Sequence, residues 1–233
     1  MSTSPPLFDP RVSLMLTLSV ATGLVDAISV LGLGKVFTAN MTGNIVFLGF
    51  AAAGTPNFHA LSYIVAIGAF LLGALGAGKM GKAHADKPLR RWLMIAALVE
   101  AALLWIAAAV AIGFDVSTQS PDARLYAIIA LTAVTMGFRN ATIRQLKVPD
   151  LTTTVLTLTL TGLAADSSLA GGANPNMGRR IAAVVAIFAG ALIGALLVSR
   201  WGLPLALALA GALVLAGTIA CALHPSAAKP AGA

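Results

Sequence analysis

The sequence predicts an all-α polytopic membrane protein, with about six transmembrane helices and two short polar segments that break or re-enter. Of 233 residues, 58% are hydrophobic and 10% are charged, whereas a soluble domain carries about 25% charged residues. The apolar residues also come in blocks of about 20, the length of helix that crosses a bilayer. The surface of the folded chain therefore faces lipid, and residues 1–233 are expected to form a single integral membrane domain.

Six segments are long and apolar enough to span the membrane. In lipid every backbone N–H and C=O group needs a partner within the protein, so a spanning segment should be helical. Trp92 and Trp201 lie at segment ends, where their amphipathic rings favour the membrane interface. The six segments are residues 12–33, 59–78, 92–114, 125–143, 181–201 and 203–223.

Two further segments, 36–53 and 151–165, are apolar but short, and hydroxyl and amide side chains recur along them. Their alternate spacing favours extended or irregular backbone. Such backbone is tolerated at membrane depth only where it lines a cavity, and its polar groups can replace the water shell of a small solute. The alternative is a spanning helix whose threonine hydroxyls bond carbonyls four residues back. The polar residues are Thr38, Asn40, Thr42 and Asn44, then Thr152, Thr153, Thr154, Thr157, Thr159 and Thr161.

The two halves of the chain, 12–114 and 125–223, resemble each other and predict an internal two-fold repeat. The motif that begins at Gly23 matches the motif that begins at Gly137, an offset of 114 residues. Three spans per half would give the halves opposite orientations, and such inverted repeats with broken segments near the midplane are common in transporters. Further matches join Thr38, Thr42, Asn44, Ala69 and Gly73 to Thr153, Thr157, Thr159, Gly190 and Gly194.

The positions of lysine and arginine favour six spans with both termini in the cytoplasm, because cytoplasmic loops carry the excess of basic residues. This arrangement places eleven basic residues inside and three outside, with Arg139 in the membrane. Eight spans would give nine and five, and seven spans would again give eleven and three. The charge rule therefore disfavours a spanning segment at 151–165, and the repeat favours six spans over seven. The eleven inner residues are Arg11, Lys79, Lys82, Lys87, Arg90, Arg91, Arg144, Lys147, Arg179, Arg180 and Lys229.

Three ionisable residues fall inside the predicted spans, where a charge costs several kcal/mol unless it is paired or hydrated. Asp26 lies deep in the first span, and Arg139 with Asn140 holds the corresponding place in the second half. One interpretation is a solute or ion site at the repeat interface. The alternative is an Asp26–Arg139 ion pair that only joins helices. Glu100, in the third span, is interpreted as a structural carboxylate bonded to a neighbouring helix.

Other functional classes find no support in the sequence. Basic loops explain the net charge of +7, and no aromatic-basic motif indicates nucleic-acid binding. The sequence contains one cysteine, Cys221, and no histidine-rich cluster, glycine-rich phosphate loop or nucleophile motif. We therefore expect no enzyme, no metal and no cofactor.

The chain also resembles a known family over essentially its whole length. Residues 37 and 41–44 fit a pattern (F/Y)-x-x-x-M-T-G-N, and residues 137–144 fit G-F-x-N-A-x-x-R. Both patterns resemble the YoaK-type family of uncharacterised bacterial inner-membrane proteins. The family pattern often has a Thr-Gly pair where this chain has Thr157 and Leu158. The resemblance implies a multi-pass protein of the bacterial inner (plasma) membrane, and it implies no substrate.

The combined features predict a small permease or channel for a small polar or charged solute. The alternative is a non-transporting membrane scaffold or assembly partner. The expected partners are the lipid bilayer, a small polar or ionic solute and further copies of the chain in a homo-oligomer, but no nucleic acid. The candidate solute-binding residues are Asp26, Asn40, Thr42, Asn44, Arg139, Asn140, Thr153 and Thr157.

Overall fold

The structure is a computed structural model that describes residues 10–84, 86–146 and 156–224. Within these ranges the chain forms seven α-helices, numbered here in chain order. They are α1 (Pro10–Gly32), α2 (Met41–Ala52), α3 (Ala60–Lys82), α4 (Leu89–Val110), α5 (Asp122–Leu146), α6 (Leu156–Ala165) and α7 (Met177–Ala222).

The long helix α7 contains two membrane spans. Gly202 interrupts it with φ 79° and ψ −177°, a conformation that glycine adopts at little cost. Pro204 follows in the next turn, where a helix start tolerates its missing N–H group. We refer to residues 177–201 as α7a and residues 203–222 as α7b. The described helices that are long and apolar enough to cross a membrane are α1, α3, α4, α5 and α7. Since α7 contains two apolar helices, the described residues contain six candidate spans, the number that the sequence predicts.

The segment between α1 and α3, which contains the short helix α2, enters the membrane and returns to the side from which it came. The 12 residues of α2 extend about 18 Å, well below the ~30 Å of a hydrocarbon core. Lys35 follows α1 and Phe58 precedes α3, yet the Lys35 ammonium lies 5.2 Å from the centre of the Phe58 ring. The end of α1 and the start of α3 therefore lie on the same side, which the charge distribution identifies as the outer side.

Two pairs of helices run in parallel. In the first pair, Gly190 and Gly194 of α7a contact the backbone of α1 at Val20 and Leu24. In the second pair, α3 and α5 approach each other equally closely, as described below. Small residues at such crossings let backbones come together, which supports helix association in lipid.

The second parallel pair settles the direction of α5. Gly73 of α3 contacts the backbone of α5 at Val134, and Gly81 contacts the Gln145 side chain farther along both helices. Since α3 runs from the outer to the inner side, α5 also ends on the inner side. α7a runs parallel to α1 and begins on that same inner side. The connection that contains α6 therefore starts and ends inside, and α6 does not cross.

The structure decides between the two alternatives for the short segments. The alternate spacing of polar residues favoured extended or irregular backbone and the alternative was a helix; residues 41–52 and 156–165 are helical. Among the described residues of these segments, non-helical backbone occurs in the stretch that precedes α2 and at Ala53, which follows it. In lipid a helix satisfies its own backbone groups, and this requirement outweighs the period of the side chains.

Candidate functional site

The connection between α1 and α2 folds back into the membrane and reaches Asp26. Asp26 lies six residues before the end of α1, which corresponds to about 9 Å along the helix axis. Its Oδ1 accepts a hydrogen bond from the backbone N–H of Ala39 at 3.2 Å, and its Oδ2 accepts one from the Asn40 amide at 3.1 Å. Residues 33–40, which we call the outer loop, therefore descend beside α1 to the depth of this carboxylate.

Most side chains of the outer loop are buried, but its tip at Asn40 is open. Leu33, Val36 and Ala39 are at most 2% exposed. Asn40 is exposed, and Asp26 is only partly buried. A carboxylate and a carboxamide thus stay accessible at the point where the loop meets α2. This arrangement can present a negative charge and a hydrogen-bonding amide to a small solute.

Asn44 holds the outer loop onto α2. Its Oδ1 accepts a hydrogen bond from the Phe37 backbone N–H at 2.9 Å, and its amide donates to the Phe37 carbonyl. Gly43 leaves room for the Phe37 ring, because a Cβ atom there would lie 2.6 Å from that ring. Asn44 is fully buried, so its side chain serves the loop and is not offered to a solute.

Two threonines flank this loop in different environments. Thr42 is exposed in the first turn of α2. Thr38 is fully buried, and its hydroxyl has no hydrogen-bond partner among the described residues. Thr42 therefore remains near the open tip with Asp26 and Asn40, whereas Thr38 lies behind it.

Arg139 lies in a separate place and pairs with Glu100 of α4. The Arg139 Nε and the Glu100 Oε2 are 2.7 Å apart, and the two side chains are 0% and 4% exposed. Across the described ranges, neither terminal nitrogen of Arg139 has a hydrogen-bond partner. The Asp26–Arg139 pair that the sequence offered as an alternative is not formed, because Glu100 already neutralises Arg139 and the outer loop occupies both oxygens of Asp26.

The remaining candidates in the second half are not joined to Asp26. Asn140 is partly buried, and its amide donates to the Met136 carbonyl at 2.9 Å. Thr157 is exposed on α6, while Thr153 lies outside the described residues. The structure thus gathers Asp26, Asn40 and Thr42 at the open tip of the outer loop.

The Glu100–Arg139 pair was not predicted from the sequence. Both residues were identified as intramembrane charges, but their pairing depends on the packing of α4 against α5. One signal was available: two opposite charges within spans are cheapest when they neutralise each other. Within the described residues, no group of three or more His, Cys, Asp or Glu side chains that could hold a metal ion occurs.

Comparisons with known proteins place the chain in a family without an assigned activity. The family described as "Protein of unknown function (DUF1275)" matches residues 14–220. The UPF0700 transmembrane protein YoaK of Bacillus subtilis (strain 168) is 34% identical over 160 residues, which are 68% of this chain and 68% of that protein. No solved structure matches the chain. Six apolar spans, a transmembrane relative and a family match over nearly the whole length agree, and the chain is a multi-pass membrane protein that belongs to the DUF1275 family.

Proposed function

We propose that this protein is a small permease or channel for a small polar or charged solute in the bacterial inner (plasma) membrane. The observation that carries the proposal is the outer loop, whose non-helical backbone descends into the membrane and ends at the half-buried carboxylate of Asp26. Irregular backbone at this depth is tolerated where it lines a water-filled cavity. An intramembrane carboxylate that stays accessible is, by default, part of a solute or ion path.

The inverted repeat that the sequence predicts would support the same proposal. The sequence offsets relate Gly23 to Gly137 by 114 residues and Phe70 to Ala191 by 121 residues. In the structure Gly23 contacts the backbone at Ala191, and Gly137 contacts the backbone at Phe70. The α1–α7a contact between the two halves thus has an equivalent in the α5–α3 contact between them.

A second pair of equivalent contacts follows from the same offsets. They relate Gly73 to Gly194 and Leu24 to Phe138; Gly194 contacts Leu24, and Gly73 contacts Phe138. The two helix pairs run in opposite directions across the membrane, which is the architecture of many secondary transporters. We infer that α6 is the inner counterpart of α2.

The charges inside the membrane favour a solute that is itself polar or ionic. At the outer loop, Asp26 offers a negative charge beside the Asn40 amide. In the other half, Arg139 is fully buried and paired with Glu100, so it is not open to a solute. A solute with a cationic or hydrogen-bonding group would match the open tip at Asp26 and Asn40, whereas an apolar solute would not.

Flux into proteoliposomes tests the proposal. Stopped-flow light scattering would follow vesicle swelling in urea, glycerol, glycine and potassium acetate. We expect at least one of these probes to enter faster than into empty vesicles. Asp26→Asn should reduce that flux by about tenfold, which corresponds to the loss of roughly 1.4 kcal/mol of interaction. Asp122→Asn is the matched control, because Asp122 is exposed at the outer start of α5.

A non-transporting scaffold is the second candidate, and one observation favours it. Asn44 and Asp26 both bond the chain's own backbone, which is how polar groups join structural elements in a membrane. A scaffold predicts no flux for any probe, a lower melting temperature for Asp26→Asn and a partner that co-purifies in fixed ratio. Flux that responds to Asp26→Asn but not to Asp122→Asn would exclude this reading.

A further inference from the structure

Arg179 is a buried cation that has no charged partner among the described residues. It lies in the first turn of α7 and is 3% exposed. Neither of its terminal nitrogens has a hydrogen-bond partner within the three described ranges. A buried charge that lacks a partner is strongly destabilising. An anion at this position would remove that penalty.

The surroundings of Arg179 add to its positive potential. The adjacent Arg180 is paired, since its Nη1 lies 2.7 Å from Oδ2 of Asp166. The first turn of α7 contains no acidic residue, and the start of a helix carries about half a positive charge. The start of α7 therefore adds to the positive potential at Arg179.

The depth of Arg179 indicates where that group comes from. Arg179 lies on the same buried stripe of α7a as Ala183 and Gly190, and Gly190 contacts Val20 near the middle of α1. Eleven residues separate Arg179 from Gly190, or about 16 Å along the helix. Half of a hydrocarbon core is about 15 Å thick, so Arg179 lies at the level of the phosphates of the inner leaflet.

We propose that Arg179 binds a phosphate group, which at this depth is the headgroup of an anionic phospholipid in the inner leaflet. The two free terminal nitrogens of a guanidinium match two oxygens of a phosphate. The site is separate from Asp26 and the outer loop, and it stands whether or not the protein transports a solute. Its role is to fix the inner ends of α7a and α1 to the lipid.

The test compares melting temperatures in three kinds of vesicle: phosphatidylcholine alone, phosphatidylcholine with phosphatidylglycerol, and phosphatidylcholine with inorganic phosphate in the buffer. We expect phosphatidylglycerol to raise the melting temperature of the wild type by about 5 °C, as a saturating ligand does. Arg179→Gln should lose most of this shift. Arg91→Gln should keep it, because Arg91 is exposed at the inner start of α4.

The other arms separate the sources of the phosphate and the rival explanations. A shift with inorganic phosphate alone, absent from Arg179→Gln, would support the phosphate site with a soluble occupant. An equal loss in Arg91→Gln would overturn the proposal in favour of general surface attraction. If Arg179→Gln does not fold, Arg179→Lys serves in its place, and a full shift in that variant would contradict bidentate binding.

Discussion

Glu100 and Arg139 neutralise each other inside the membrane. Their contact of 2.7 Å and their burial explain how α4 and α5 can each carry a charge through lipid. The sequence-based interpretation of Glu100 as a carboxylate bonded to a neighbouring helix is confirmed. Its partner could not be named in advance, because the choice depends on which helices become neighbours.

We expect Glu100→Gln to destabilise the protein by about 3–5 kcal/mol, because it leaves the Arg139 guanidinium buried without a charged partner. Thermal unfolding in detergent measures the effect. Removing both charges, with Glu100→Gln and Arg139→Met together, should restore much of the stability. A double variant no more stable than the single one would show that the pair does not account for the loss.

Single residues also show why the candidate site was only partly predictable from the sequence. The motif from Met41 to Asn44 was recognised as polar and unusual, and it does lie where a chain re-enters the membrane. The side-chain amide of Asn44, however, is already hydrogen-bonded to the Phe37 backbone of the outer loop. Sequence spacing shows that a polar group is present at depth, but only the folded backbone shows whether the group is already satisfied.

At the scale of single elements, the six spans were predictable because length and hydropathy decide what crosses a bilayer. Their ends moved by several residues: α5 starts at Asp122 and continues to Leu146, beyond the predicted 125–143. The join between α7a and α7b was also predictable, since the two apolar blocks meet at Gly202. The helical state of the short segments was left open, because their side-chain period favoured extended or irregular backbone while a helix was the alternative.

The re-entry of α2 leads to an accessibility prediction in a Cys221→Ser background. Lys35→Cys and Gly54→Cys should both react with a membrane-impermeant maleimide added to intact cells, because both positions are exposed on the outer side. Gly171→Cys should react only after the membrane is opened. Lys82→Cys, at the inner end of α3, is the control for the inner side.

Labelling of Lys35→Cys and Gly54→Cys from opposite faces would mean that α2 crosses the membrane. The outer loop would then be an ordinary connection, and the proposed solute path would lose its main support. Labelling of Gly171→Cys from outside would mean that the connection between α5 and α7a crosses the membrane.

At the scale of the whole molecule, two close helix crossings organise the bundle. Gly73 contacts the backbone of α5 so closely that a Cβ atom has no room, whereas Gly68 of the same helix has open space around it. The sequence predicted Gly73 as a repeat position. It could not show that α3 of the first half packs against α5 of the second, or that α7a of the second packs against α1 of the first.

We expect Gly73→Ala to lower stability by about 1–3 kcal/mol, the usual cost of overpacking a tight contact. Gly68→Ala is the matched control and should be neutral or slightly stabilising, because alanine favours the helix. Chemical or thermal unfolding of both variants in the same detergent gives the comparison. Equal effects at the two positions would argue against the close α3–α5 crossing.

The start of α2 has an electrical consequence. This helix begins inside the bilayer, and the side chain of its N-cap residue, Asn40, does not bond its first amides. Lipid cannot satisfy such N–H groups, whereas the water of the proposed solute path would. A water-filled pocket beside Asn40, which that path requires, would shorten the insulating layer, and the transmembrane voltage would then fall mainly between that point and the inner surface. An ion that leaves Asp26 for the inner side would cross nearly the full membrane potential, worth about 2.3 kcal/mol per charge at 100 mV.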